Sequence, residues 1–165
     1  MVPSPMPLRV VQAPLVRALL EAGQLVVCVG GGGVSVKTDG KGRQTGVQAV
    51  VDKDLASAAL AAELQADMLI MLTDAAYVSE NWGTPAQRDI LTASPEAISE
   101  LPFEEGSMKP KIDAAVRFAK AGGRALIGPL DRLDDLLAGR SAPRCAPTYP
   151  RGSSTSEAWG PAPPR

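Results

Sequence analysis

The sequence predicts an α/β fold in which a mainly parallel sheet is covered by helices on both faces. Three observations point there. Short apolar runs at residues 25–29, 67–72 and 124–127 alternate with segments of helical character. The first two of these runs, LVVCV and DMLIML, are nearly continuous in apolar residues, the pattern of strands buried on both faces. Glycines and capping residues punctuate the junctions between them.

Each element can be justified in chain order. Residues 1–9 hold three prolines and read as an extended lead-in. Over residues 12–21, Leu15, Val16, Leu19 and Leu20 recur on one helical face. Pro14 fits only in a first turn, so this helix starts near Ala13, and Gly23 supplies its C-terminal cap. Residues 25–29 form the first expected strand and end in four glycines, Gly30, Gly31, Gly32 and Gly33. Residues 34–36 and 45–51 flank the Asp39-Gly40 turn as a hairpin. The Ala-, Leu- and Glu-rich stretch 54–65 is a strong helix with Asp52 as its N-cap. The strand at 67–72 ends in Thr73-Asp74. Residues 75–93 read as loop, with Trp82 assigned to packing. Ser94 caps a short helix that opens with Pro95 and runs to Leu101. A further helix follows the Ser107–Lys111 segment, runs to about Lys120 and stops at Gly122-Gly123. The strand at 124–127 precedes a last short helix over 131–137, capped by Gly139. From Ser141 the composition changes: six prolines in 25 residues and no apolar periodicity predict a disordered tail. The expected organisation is thus one domain over residues 1–140 and a tail over 141–165.

Length and charge narrow the function. At 165 residues the chain is long enough for one domain with a core of its own, and 45% of it is hydrophobic. A net charge of −1 gives no electrostatic footprint for nucleic acid or an anionic membrane surface. No apolar run is long enough to span a bilayer, and the first residues lack the apolar centre of a signal peptide. The two cysteines, Cys28 and Cys145, follow no metal or disulfide spacing, and Cys28 is expected to act as a small buried hydrophobe. A reducing, cytoplasmic compartment is the expectation. Histidine is absent, which excludes histidine-based triads and histidine metal sites within the chain; no metal site built from protein ligands is predicted.

The densest chemical signal lies in residues 26–57. A strand, a glycine turn and then Asp52-Lys53-Asp54 at a helix start is one way to build a phosphate site. Glycines admit close backbone approach, and helix N-termini offer free N–H groups to an anion. Taken alone, the four glycines are equally a tight turn, and Asp52-Lys53-Asp54 a solvated cap with a local ion pair.

Several strings carry a family resemblance: VPSPMPLRVV, GGGGVSV, GVQAVVDKDLASAALAAEL, ADMLIMLTD, NWGTP and FEEGSMKPKIDAAVRFAKAGGRALIG. In this order, over residues 2–139, the chain resembles the C-terminal half of carbamate kinase, in the amino acid kinase superfamily. The resemblance implies a three-layer α/β sandwich with a mainly parallel central sheet, truncated by the absence of the N-terminal half. It implies reversible phosphoryl transfer between carbamoyl phosphate and ADP to give ATP, with Mg2+ accompanying the nucleotide. Lys53, Asp54 and Lys111 become the catalytic group: the two lysines face the phosphoryl charge and Asp54 orients them. Gly30–Gly33 would contact phosphate, Thr73, Asp74 and Tyr77 would border the nucleotide, and Met108 and Pro110 would line its pocket.

Four positions depart from the family pattern. Ser35 replaces a usual proline. An acidic residue is lost at Ala76, and Tyr77 stands two places before the expected tyrosine. Lys109 replaces a glycine, where a bulky cation would crowd the site or take up glycine-like backbone angles. The resemblance further implies either a homodimer, as in the family, or a complementing N-terminal half as partner. The competing reading is a non-catalytic nucleotide-binding or interaction fragment. A third, a related kinase acting on another acid or on a nucleoside monophosphate, is disfavoured by the DKDLAS and GSMxPK strings.

Overall fold

The computed structural model describes residues 2–103, 106, 108–138 and 144–145. Along the chain these form α1 (Ala13–Glu21), β1 (Val36–Thr38), β2 (Gln44–Gly46), α2 (Lys53–Leu64), β3 (Met68–Thr73), β4 (Val78–Glu80), β5 (Arg88–Ile90) and β6 (Thr92–Ala93). There follow α3 (Pro95–Ser99), α4 (Met108–Lys120), β7 (Arg124–Pro129), a 3-10 turn (Leu130–Arg132), α5 (Leu133–Leu137) and β8 (Arg144–Cys145).

The central sheet has four strands in the order β3-β7-β8-β6. β3 and β7 pair in parallel from Met68 opposite Arg124 to Thr73 opposite Pro129. β8 runs antiparallel to β7 and parallel to β6, so the sheet is mainly parallel. Side-chain alternation along β3 and β7 divides the core into two layers. Met71, Ala125 and Ile127 pack with Ala58 of α2, Ile98 of α3 and Ile112, Ala115 and Phe118 of α4. On the opposite face Leu126 packs with Leu136 of α5, against Met68, Ile70 and Leu72. The result is a three-layer sandwich, as the sequence predicts. Ala58, Ala114 and Ala115 are fully buried, which lets α2 and α4 approach closely. Phe118, only 1% exposed, is the largest side chain of this layer and contributes on the order of 2 kcal/mol by its removal from water.

Local signals set several helix ends as read, although α3 stops at Ser99 rather than Leu101 and α4 starts at Met108, ahead of Lys111. Pro14 lies in the first turn of α1. Past the end of that helix Gly23 takes φ +74, and the N–H groups of Gly23 and Gln24 donate to Leu20 O and Leu19 O, a Schellman closure. Asp52 caps α2, its Oδ1 accepting from Asp54 N at 2.8 Å and Leu55 N at 3.2 Å. Ser94 caps α3 by accepting from Ala97 N at 3.1 Å.

Other expectations are corrected. Residues 25–29 form no strand: Leu25 and Val27 are 96% and 95% exposed, and Val29 has φ +70. A strand exists only where a neighbour supplies ladder bonds, and this run has none. Cys28 is therefore exposed rather than buried. The hairpin is shorter than expected, and residues 47–51 lie outside it. On α1 only Ala13 and Val16 are buried, while Leu15, Leu19 and Leu20 face outward. Residues 75–93 are not simple loop. Val78 pairs with Ile90 and Glu80 with Arg88 in the β4–β5 hairpin, and β6 joins the main sheet. Trp82, near the tip of that hairpin, is exposed and packs no core. The final helix is split into a 3-10 turn and α5. Gly139 as a cap lies outside the described residues. So does the expected tail, apart from β8, which inserts between β7 and β6.

Candidate functional site

Two helix starts converge on one carboxylate. Lys53 and Asp54 occupy the first turn of α2, where the Asp52 cap fixes the backbone and the acidic side chain suits the positive helix end. Lys111 lies in the first turn of α4, not in a preceding loop, with Pro110 in the same turn, where a missing N–H costs nothing. The buried packing of α2 on α4 brings the two turns together although 57 residues separate them. Lys111 Nζ donates to Asp54 Oδ2 at 2.9 Å, and Lys53 Nζ donates to the same oxygen at 3.3 Å. The Lys111 and Asp54 side chains are only 9% and 12% exposed, whereas Lys53 is 56% exposed.

The charge balance of this cluster is the main chemical fact. Two ammonium groups share the Asp54 carboxylate, while the Asp52 carboxylate at the same helix start is engaged by Asp54 N and Leu55 N. An ammonium has three donors, and the bond to Asp54 occupies one of them on Lys111. A largely buried, positive, donor-rich group beside two helix N-termini is suited to an anion with several acceptor oxygens.

The glycine run stands at the edge of this cluster. Gly32 has φ +127 and abuts the chain just before α2: a Cβ there would sit 1.9 Å from Val51 O. Only glycine permits that approach. Gly30 and Gly33 also take positive φ, at +57 and +89, and Gly30, Gly31 and Gly33 have open space around them. Backbone is thereby left uncovered beside the cap of α2.

Thr73 and Asp74 end β3 at its carboxyl edge, where parallel sheets commonly bind ligands. Thr73 Oγ1 donates to Asp74 Oδ1 at 3.1 Å. Tyr77 is half-buried and reaches the segment that leaves the same end of β7. There the Arg132 guanidinium is held above its ordinary value, first by a hydrogen bond from Arg132 to Asp135, then by the Asp135 charge, with smaller contributions from Tyr77. Sequence reading missed Arg132; the available signal was its place after the third expected strand, matching that of Asp74 after the second. Met108 opens α4 with its side chain packed on the core. Lys109 neither crowds the cluster nor takes glycine-like angles. It is helical, and its Nζ bonds Asp113 Oδ1 at 2.8 Å and Oδ2 at 3.1 Å, one turn along its own helix.

The structure thus brings Lys53, Asp54 and Lys111 into contact, sets Gly32 beside the start of α2, and places Thr73, Asp74 and Tyr77 together at the carboxyl end of β3. Among the described residues no group of three or more His, Cys, Asp or Glu side chains could hold a metal ion. Nor is any described helix long and apolar enough to cross a membrane.

Comparison with known proteins gives this arrangement a context. A profile of the amino acid kinase family matches residues 3–128. The chain is 48% identical over 144 residues to a carbamate kinase of Haemophilus influenzae, covering 87% of this chain and 46% of that one. It is 45% identical over 146 residues to a carbamate kinase of Thermoplasma acidophilum, covering 85% and 47%. Among solved structures, carbamate kinase from Giardia lamblia bound to AMP-PNP superposes with a TM-score of 0.84 at 36% identity, covering 90% of this chain and 48% of that one. The chain therefore spans about half the length of the curated relatives it matches.

Proposed function

The chain belongs to the amino acid kinase family, and from that premise we propose that it forms the nucleotide-side wall of a carbamate kinase-type site. The reaction is reversible phosphoryl transfer between carbamoyl phosphate and ADP. A terminal oxygen of ADP attacks the phosphorus of carbamoyl phosphate. The bond from phosphorus to the carbamate oxygen breaks, carbamate leaves with the electron pair, and ATP results. The observation that carries this reading is the buried Lys111–Asp54 pair joining the first turns of α2 and α4, with Lys53 on the same carboxylate oxygen.

Each residue has a role. Phosphoryl transfer asks little covalent chemistry of a protein; positioning and charge stabilisation supply most of the rate. Lys111, rigidly held, directs its remaining donors at the equatorial oxygens of the transferring group. Lys53, more exposed, meets the phosphate charge from the cleft. Asp54 fixes both lysines without consuming their whole charge. Gly30–Gly33 offer backbone to phosphate oxygens, and Thr73, Asp74, Tyr77, Met108 and Pro110 border the nucleotide. Mg2+ fits this set only as a companion of the nucleotide, since the described residues form no metal cage of their own; there it would neutralise phosphate charge.

Isothermal calorimetry with Mg-ADP tests the reading. Binding is expected, and Lys111→Ala should weaken it at least 10-fold while the protein remains folded by circular dichroism. Absence of heat on folded wild-type protein overturns it. A second reading, a nucleotide-binding but non-catalytic chain, is separated from the first by measuring turnover. Effective alignment of two substrates accounts for roughly 7–11 kcal/mol of barrier lowering, so a single wall should forfeit most of the rate. ATP formation from carbamoyl phosphate and ADP by the 165-residue chain alone is accordingly expected to be negligible, as measured by coupled luciferase assay. Sustained turnover would place the acceptor site within this chain.

A further inference from the structure

Charge is unevenly placed along the chain. The formal net charge is −1, yet the β1–β2 hairpin with its turn, residues 36–46, sets Lys37, Lys41 and Arg43 against a single acid, Asp39. Every residue from 36 to 46 is exposed. The hairpin buries neither face, so its composition does not serve the core. A two-stranded hairpin of this kind is marginal by itself, and local bonds must hold it.

Asp39 supplies those bonds. Its Oδ1 accepts from Lys41 N and Arg43 N, both at 2.9 Å, and its Oδ2 pairs with Arg43 Nε at 3.3 Å. Asp39 N donates to Arg43 O and Gly42 N to Asp39 O, both at 3.0 Å, with Gly42 at φ +79. The carboxylate is thus committed to the turn and to Arg43. Lys37 and Lys41 keep their charge, for among the described residues neither ammonium has a carboxylate partner. The base of the hairpin is fixed at the candidate site. Val47 N donates to Ser35 O at 3.0 Å and Ser35 Oγ to Ala49 O at 3.1 Å, which ties the two legs together. One leg continues directly from Gly33. The other runs through Val51, which Gly32 abuts, into the cap of α2 and Lys53. Lys37 stands four residues from Gly33, at most about 13 Å of extended chain.

We propose that the β1–β2 hairpin is an electrostatic arm of the phosphate site. Lys37 and Lys41 attract the polyphosphate of a nucleotide and speed its arrival at Gly30–Gly33, Lys53 and Lys111. A polyphosphate fits this arm better than an acidic protein surface does. The arm offers only two uncompensated cations, and it rises from a site whose donors are ammonium and backbone N–H groups. Such charges raise the rate of encounter and its dependence on salt more than they lengthen the life of the complex. Their field reaches about 30 Å at 0.01 M ionic strength and about 8 Å at 0.15 M, so the arm acts most strongly in dilute salt. The inference rests on the nucleotide reading of the Lys53–Asp54–Lys111 cluster and adds a step before binding to it.

The test is stopped-flow binding of a fluorescent ADP analogue, N-methylanthraniloyl-ADP, to the full 165-residue chain at about 0.01 M and about 0.15 M ionic strength. The double variant Lys37→Gln with Lys41→Gln is expected to associate roughly 5-fold more slowly at the lower ionic strength and to differ by less than about 2-fold at the higher one. Its dissociation rate and melting temperature should match the wild type. Lys120→Gln removes an exposed lysine at the last residue of α4, the end of that helix far from Lys111, and should leave association unchanged. Lys111→Ala, which breaks a buried pair, should act chiefly by faster dissociation. Equal association rates for the wild type and the double variant at the lower ionic strength overturn the arm. So does a loss that is undiminished at the higher ionic strength and accompanied by faster dissociation, which would make the two lysines direct contacts. Absence of wild-type binding overturns the nucleotide reading itself, and the arm with it.

Discussion

Asp54 shows how much can depend on one carboxylate. It is the counter-charge of a lysine that is nearly out of water, and it joins two helices distant in sequence. Removing one partner of a buried pair leaves an uncompensated charge, at a cost of about 3–5 kcal/mol. Removing an exposed partner costs about 1 kcal/mol or less. Asp54→Ala is therefore expected to destabilise far more than Lys53→Ala, as read by urea denaturation. The double variant Asp54→Ala with Lys111→Met should recover much of the loss, because it abolishes the unpaired charge. Equal effects of the two single variants would mean that the buried pair contributes no more than a surface one. The identities of Lys53, Asp54 and Lys111 were legible in the chain. Their convergence on one oxygen was not, because Asp54 and Lys111 stand 57 positions apart and are brought together by helix packing.

Among the elements, α4 and β7 illustrate how a turn positions a core. After α4 the chain reverses through Gly122, at φ +98, and Gly123. A Cβ on Gly123 would lie 2.3 Å from Cε1 and Cζ of Phe118, a ring enclosed in the core. The ring cannot retreat, so Gly123→Ala is expected to cost about 1–3 kcal/mol, measured as a fall in denaturation midpoint with unchanged slope. The helix stop at these glycines was readable, but the reason Gly123 must be glycine was not, since it lies in the ring above it. The β4–β5 hairpin escaped sequence reading for a different reason. Its strands are three residues each, and their stabilising bond, from Ser79 Oγ to Asp89 Oδ1 at 2.7 Å, joins two polar residues that carry no strand signal.

For the whole molecule, the sheet is closed by a late segment. β8 bonds to both β7 and β6, opposite Ala125 and Leu126 on one side and Thr92 and Ala93 on the other. Ending the chain after Ala146 retains this strand and is expected to leave the melting temperature unchanged. Ending it after Arg140 removes the strand and should lower the melting temperature by roughly 5 °C. Equal melting temperatures for the two truncations would show that β8 adds nothing to the sheet's stability.

Local chemistry was enough for the sequence to determine both ends of α1 and the caps at Asp52 and Ser94. Each of these depends on neighbours within a few positions, so the chain carries its own instructions. Tertiary structure alone decided which apolar runs are buried. Residues 25–29 and 68–73 look alike in composition, yet one forms a strand and the other lies in water. The difference is that β7 offers ladder bonds to residues 68–73, and no described strand offers them to residues 25–29.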